Sequence, residues 1–230
     1  MSSWQIRENI VLFIGLVLSV AVHEFGHAQT AHLLGDPTPE RQGRVTLNPL
    51  AHIDVIGTII APLIFLFVMP GALFFGWGRP VEVNPSRFTR RFSMRTGDTL
   101  VSLAGPAMNI LMALVLSVVL VTAMIAGVDP AHPVLGSHNG MVVPYYGLRG
   151  VIMLNVILAV FNMIPVPPLD GGHVLLNSLP SHKNHVAEFL ERYGMYILLI
   201  VLVTGILGFI FRPVAQMTFA WMEWLRSVVS

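Results

Sequence analysis

The chain has 230 residues, of which 54% are hydrophobic and 11% charged, with a formal net charge of +1 and no cysteine. An ordinary soluble domain carries roughly a quarter charged residues, so this balance is that of a membrane protein. Near-zero charge with no Lys- or Arg-rich face excludes nucleic acid as a partner, and the lack of cysteine leaves only imidazole and carboxylate to hold any metal.

The first apolar stretch, residues 10–22, predicts a membrane-spanning helix over about 8–32. It does not read as a cleaved secretory signal: Glu8 stands beside Arg7, no small-x-small site follows, and the stretch runs straight into His23 and Glu24. In the polar segment 35–54, Val45 and Leu47 alternate with polar neighbours and Pro49 closes the run, which predicts a short β-strand or hairpin. The apolar stretch 55–76 is interrupted by Pro62, Pro70 and Gly71. It predicts a re-entrant segment that dips into the membrane and returns, a form tolerated only where protein or water covers the backbone, with an ordinary full span as the alternative on apolar length.

A loop follows with Arg79, Arg87, Arg90, Arg91 and Arg95 set against Glu82, and the excess of arginine places it in the cytoplasm. A helix over about 99–127 leads to a loop, 128–148, without Lys or Arg, which places that loop outside. The next helix, about 149–163, returns and is stopped by Pro165, Pro167 and Pro168. Asp170 therefore lies towards the cytoplasmic side, and helix one must run from outside to inside for His23 to reach the same depth. Beyond it come a short helix to about 179, a helix over 186–211, and a tail whose Trp221, Met222, Trp224 and Arg226 suit an amphipathic interfacial helix. The expected fold is an all-α polytopic helical bundle with a re-entrant segment and a short β-hairpin near the site. It is expected to be one integral-membrane domain over residues 1–230, with a core at about 8–180 and a C-terminal helix and tail at about 186–230.

The chemistry centres on "VHEFGHA", residues 22–28, at the end of an apolar helix. Residues four apart share a helix face, so His23 and His27 can offer nitrogens to one metal ion with Glu24 beside them. Ionisable groups inside a membrane helix are expensive and mark a functional site. A catalytic zinc centre takes three protein ligands and keeps one open position. Asp170, between a proline run and Gly171-Gly172 at the end of an apolar helix, is the simplest third ligand, with His173 its rival. His32 and His52 read as interfacial polar residues, and His132, His138, His182 and His185 fall in loops.

"HEFGH" and "NMIPVPPLDGG", with "SLAGPAMN" between them, resemble the signatures of the site-2 protease family. "GRVTLNPLAHIDVIGT" and "FGWGRPVEVNP" resemble segments of its small bacterial members, and the resemblance covers about residues 10–180. It implies one Zn2+ on His23, His27 and Asp170, with Glu24 as general base, and leaves no room for an inserted PDZ domain. Asn109 and Asn162 match family positions and are candidates to bind the substrate backbone or polarise the scissile carbonyl, with an interhelical hydrogen bond the equal alternative for each. The implied activity is hydrolysis of peptide bonds in or near transmembrane helices of substrate proteins, by an enzyme of the bacterial plasma membrane in contact with the lipid bilayer. A membrane metal transporter is the rival class, but it would repeat carboxylates or histidines along several helices; a catalytically inactive homologue would have no reason to keep Glu24 with the ligand set.

Overall fold

The computed structural model describes residues 3–68, 76–126, 142–180 and 183–229. Helix α1 (Ser3–Leu33) is followed by the single turn α2 (Thr38–Arg41) and by a helical segment, Val55–Val68. That segment is built of two wide π-type turns around the short α3 (Ala61–Leu63). The long α4 (Met94–Ile125), α5 (Val142–Asn162), the short α6 (Asp170–Ser178), α7 (Asn184–Val203) and α8 (Leu207–Val229) complete the order.

Among the described residues, three helices are long and apolar enough to cross a membrane: Gln5–Leu33, Met94–Ile125 and Tyr145–Asn162. Helix α4 is the axis of the bundle, with α1, α5, α6 and α8 packed around it. Its outer face exposes Leu111, Leu114, Val115, Val118 and Val119, while Ser19, His23, His27, Asn109 and Asn155 are buried inside. Apolar outside and polar inside is the distribution that a hydrocarbon solvent selects. One apolar cluster of Ala113, Leu120, Tyr145, Ile152 and Met222 joins α4, α5 and α8; another, of Ile164, Leu169, Leu198 and Leu207, fastens the turn before α6 to α7 and α8.

The expected β-hairpin is not formed. Residues 44–48 are bends and coil, and no strand exists among the described residues. The local reason is visible in the hydrogen bonds: the carbonyl of Thr46 accepts from His52 Nε2 at 2.9 Å, and the buried Arg44 guanidinium reaches the carbonyls of Ala51 and Arg79. Side chains thus take the backbone acceptors that a ladder would have used.

The expected helix over 186–211 is also divided. It ends at Val203, and α8 leaves at 67° after a break in which Gly205 adopts φ 72°, a left-handed conformation that glycine enters without steric cost. The tail is therefore a packed helix: Trp221 Nε1 donates to Ser117 Oγ of α4, and Arg149 of α5 pairs with Glu223 at 2.7 Å. Part of the stretch expected to be re-entrant, and most of the loop at 128–148, lie outside the described residues. The ends of the 55–76 stretch nevertheless meet, since Trp77 N–H donates to the Gly57 carbonyl and Arg79 N–H to the His52 carbonyl.

Candidate metal centre

Three segments far apart in sequence supply the centre. Helix α1 places His23 and His27 one turn apart, and their Nε2 atoms stand 3.0 Å from each other. Asp170 opens α6, its Oδ2 3.2 Å from His23 Nε2 and its Oδ1 3.4 Å from His27 Nε2. His23, Glu24 and His27 are each less than a tenth exposed. The glycines after Asp170 let α6 start against the preceding turn: a side chain at Gly171 would overlap the Met163 backbone, and one at Gly172 the Val166–Pro167 backbone. A carboxylate in the first turn also sits at the positive end of the short helix.

The outer nitrogens of both rings are occupied. His27 Nδ1 lies 2.7 Å from the carbonyl of Val101, which can only accept, so this nitrogen carries the proton. His23 Nδ1 lies 2.7 Å from Asn109 Oδ1, and the same logic applies. With each ring neutral, an unprotonated Nε2 then faces inward, where Asp170 Oδ2 is buried without a hydrogen-bond partner. Four acceptor atoms facing one another at 3.0–3.4 Å repel unless a cation lies among them. Donors about 2.0–2.1 Å from a tetrahedral zinc stand roughly 3.3 Å apart, so these residues fit the ion by chemistry and by spacing.

Two elements close the centre. Helix α4 passes so near that a methyl group at Gly105 would overlap His27 Nε2 and stand 2.6 Å from its Cε1 and 2.7 Å from His23 Cε1. Pro106, next in the chain, has no N–H to give the Ser102 carbonyl, one residue beyond the carbonyl that receives His27. On the other side residues 76–84 pass α1 without regular secondary structure, and Val81 N–H donates to Glu24 Oε2 at 3.2 Å.

The structure thus brings His23, His27 and Asp170 together, their ligand atoms all within 4.8 Å of one another. His173 is exposed on α6 and takes no part in this group. His52 is buried under the 76–84 segment, and His32 lies 3.5 Å from Glu40. Asn162 is half-buried and donates to the Leu158 carbonyl of its own helix. Asn109 is fully buried, its amide engaged by His23, Ser19 and Asn155. Sequence reasoning missed Gly105, Ser19 and Asn155. The signal for Asn155 was available, as one of two amides, with Asn162, in the apolar stretch 150–169.

A His-Glu-x-x-His pair completed by a carboxylate and buried among apolar helices defines a metallopeptidase centre of the membrane type. Comparison with known proteins agrees. Residues 135–205 match the model of peptidase family M50. The chain is 33% identical over 202 residues to YwhC of Bacillus subtilis, provisionally named a zinc metalloprotease, covering 88% of this chain and 84% of that protein. It is also 33% identical over 199 residues to Rip2 of Mycolicibacterium smegmatis, which carries the same provisional description, covering 86% of this chain and 69% of that one. No solved structure matches the chain. The chain belongs to peptidase family M50, the site-2 protease family of zinc metalloendopeptidases.

Proposed function

We propose that this protein is an intramembrane zinc endopeptidase that hydrolyses peptide bonds in or beside transmembrane helices of substrate proteins. The observation that carries the reading is the convergence of two imidazole Nε2 atoms and a carboxylate, with the other nitrogen of each ring held by an oxygen acceptor. His23, His27 and Asp170 would hold zinc, which when bound polarises a carbonyl and acidifies water. Glu24 takes a proton from the attacking water and returns it to the leaving amine. Val81 N–H fixes one carboxylate oxygen and leaves the other to that transfer. Burial among apolar helices suits a substrate that arrives through the bilayer, whose scissile bond must first leave its helical hydrogen bonds. Asn162, at the end of α5 and half-exposed, is the residue proposed to meet the unwound substrate backbone.

The same reading makes the whole chain one integral-membrane domain of the bacterial plasma membrane, with residues 55–76 re-entrant and the centre towards the cytoplasm. The meeting of both ends of the 55–76 stretch beside His52 and Gly57 supports the re-entrant course, and the arginines between Arg79 and Arg95 support the orientation. The test is metal analysis of the purified protein together with cleavage of a model transmembrane substrate. Glu24→Gln keeps about one zinc per chain and loses cleavage, whereas Asp170→Ala loses the metal. Full turnover by Glu24→Gln would refute the assignment of the base, and undiminished zinc in Asp170→Ala that of the ligand.

A further inference from the structure

Inside the bundle, one turn before His23, three helices contribute a closed set of polar groups. Asn109 of α4 donates through Nδ2 to the Ser19 carbonyl of α1 at 3.2 Å and to Asn155 Oδ1 of α5 at 3.0 Å. Asn155 in turn donates through Nδ2 to Ser19 Oγ at 2.8 Å and to the Val151 carbonyl of its own helix at 2.9 Å. Ser19 Oγ–H is given to the Gly15 carbonyl at 2.6 Å. Ser19, Asn109 and Asn155 are each 0% exposed.

The orientation of each amide follows from its neighbours. The carbonyl of Val151 only accepts, so Asn155 turns its nitrogen there and its oxygen towards Asn109. Asn109 then faces two acceptors, Asn155 Oδ1 and the Ser19 carbonyl, and must turn its nitrogen to both. Its oxygen is left for His23 Nδ1, 2.7 Å away. An oxygen there holds the proton on Nδ1 and leaves Nε2 bare on the side of Asp170. Were the Asn109 amide reversed, its NH2 would face Nδ1 and drive the ring proton to Nε2, into the space among the ligands.

We propose that Asn155, acting with Ser19 through Asn109, is a positioning residue that holds His23 in the Nδ1–H tautomer required for metal binding. The inference rests on the metal site proposed above. Asn155 lies in no contact with that site, and its whole effect passes through one amide.

The test uses the full chain in detergent micelles with zinc alone as the probe, its dissociation constant measured by competition with a chromophoric chelator. Loss of an outer partner of a metal-bound histidine lowers affinity by about 10–100-fold. Asn155→Leu is expected to weaken zinc by that range, and Asn109→Leu by at least as much. The double variant is expected to be no weaker than Asn109→Leu alone, because the two residues act in series. Asn155→Asp, which in its neutral form offers one acceptor and one donor in the same places, is expected to return affinity to within a few-fold of wild type. In metal-free protein carrying 15N-labelled histidine, His23 is expected to show one protonated Nδ1 in wild type and a mixture of tautomers in Asn155→Leu. If Asn155→Leu does not fold, Asn155→Ser, too short to reach Asn109, carries the same expectations. Zinc affinity within twofold of wild type, additive losses in the double variant, or an unchanged tautomer would overturn the inference. A wild-type protein that binds no zinc, or a His23→Ala variant that binds it as wild type does, would instead overturn the metal site itself.

Discussion

Replacing Gly105 by alanine sets two effects of the same substitution against each other. In a helix interior, Gly→Ala stabilises by about 1 kcal/mol through propensity alone. At Gly208, in the first turn of α8, nothing lies within 4 Å of the added methyl, so Gly208→Ala is expected to show no clash and at most that gain. At Gly105 the methyl would overlap His27 Nε2 and press on Cε1 of both rings, at 2.6 and 2.7 Å. Carbon atoms rest at about 3.5–4.0 Å, so the rings or the α1–α4 spacing must yield by about 1 Å. Overpacking of this kind costs about 1–3 kcal/mol, enough to cancel the helix gain. The functional cost is larger, since a displacement of about 1 Å at a catalytic group lowers rate by about 10²-fold. Gly105→Ala is thus expected to lose most of its zinc and at least 99% of its cleavage, while its helical circular dichroism is retained. Zinc content and turnover are measured on Gly105→Ala and Gly208→Ala side by side. Full zinc occupancy with wild-type turnover in Gly105→Ala would refute the reading of this contact.

The Val81 N–H that holds Glu24 is removed by Val81→Pro, which is expected to cut turnover about 10- to 100-fold, the worth of a hydrogen bond to a charged group, without loss of zinc; turnover near wild type would show that Glu24 needs no such anchor. Asp36, just past the end of α1, offers a pH test. Burial pushes its carboxyl up, but the Thr38 hydroxyl and the N–H groups of Asn84 and Thr38 outweigh that and hold it below the ordinary value. A carboxyl lowered on folding adds stability that is complete above its unfolded pKa and fades as pH falls through the folded one. Asp36→Asn is expected to lower Tm at neutral pH and to flatten the acid limb of Tm against pH below about 4; parallel curves would contradict the anchor. Stripping zinc with a chelator is expected to lower Tm as well, by the loss of about 4 kcal/mol when free zinc had stood at about 1,000 times its dissociation constant, and Asp170→Ala is expected to be insensitive to the chelator.

The helices and the members of the His23–His27–Asp170 cluster were legible in the sequence because each rests on a strong local signal. The length of uncharged runs gives α1, α4 and α5, and the i, i+4 spacing of His23 and His27 follows from helix geometry alone. Asp170 could be singled out because proline and glycine bracket it at the end of an apolar run. What was misread depends on contacts between distant residues. Val45 and Leu47 alternate as a strand would, but His52 and Arg44 take the nearby carbonyls, and no partner strand exists among the described residues. The uncharged run 193–211 carries no sign of a 67° bend except Gly205, and the docking of the tail helix onto the bundle rests on Arg149 and Ser117, which lie 74 and 104 residues away. Asn109 carries no mark in the sequence of its neighbours, since only the fold shows that Ser19 and Asn155 surround it.

The metal centre and the packing of the bundle are one set of contacts. In hydrocarbon, burial of apolar surface does not draw helices together, so association depends on small residues that allow close approach and on polar groups that bond across the gap. Helices α1 and α4 meet in this way: Gly26 lies against the Ala104 backbone, Gly105 against both histidines, and His27 bonds the Val101 carbonyl. Helix α5 is tied to the pair through Asn155. The groups that aim the imidazoles are thus the groups that hold three helices together, and the centre cannot loosen without parting them. Asp170 differs, because it stands on a nine-residue helix secured at its far end by Asn177 to Asp98 and by Arg95 to the Leu179 carbonyl. Two members of the cluster therefore stand on a helix tied to α4 and α5 by the same inner contacts, and the third on a short element latched to α4 at its far end.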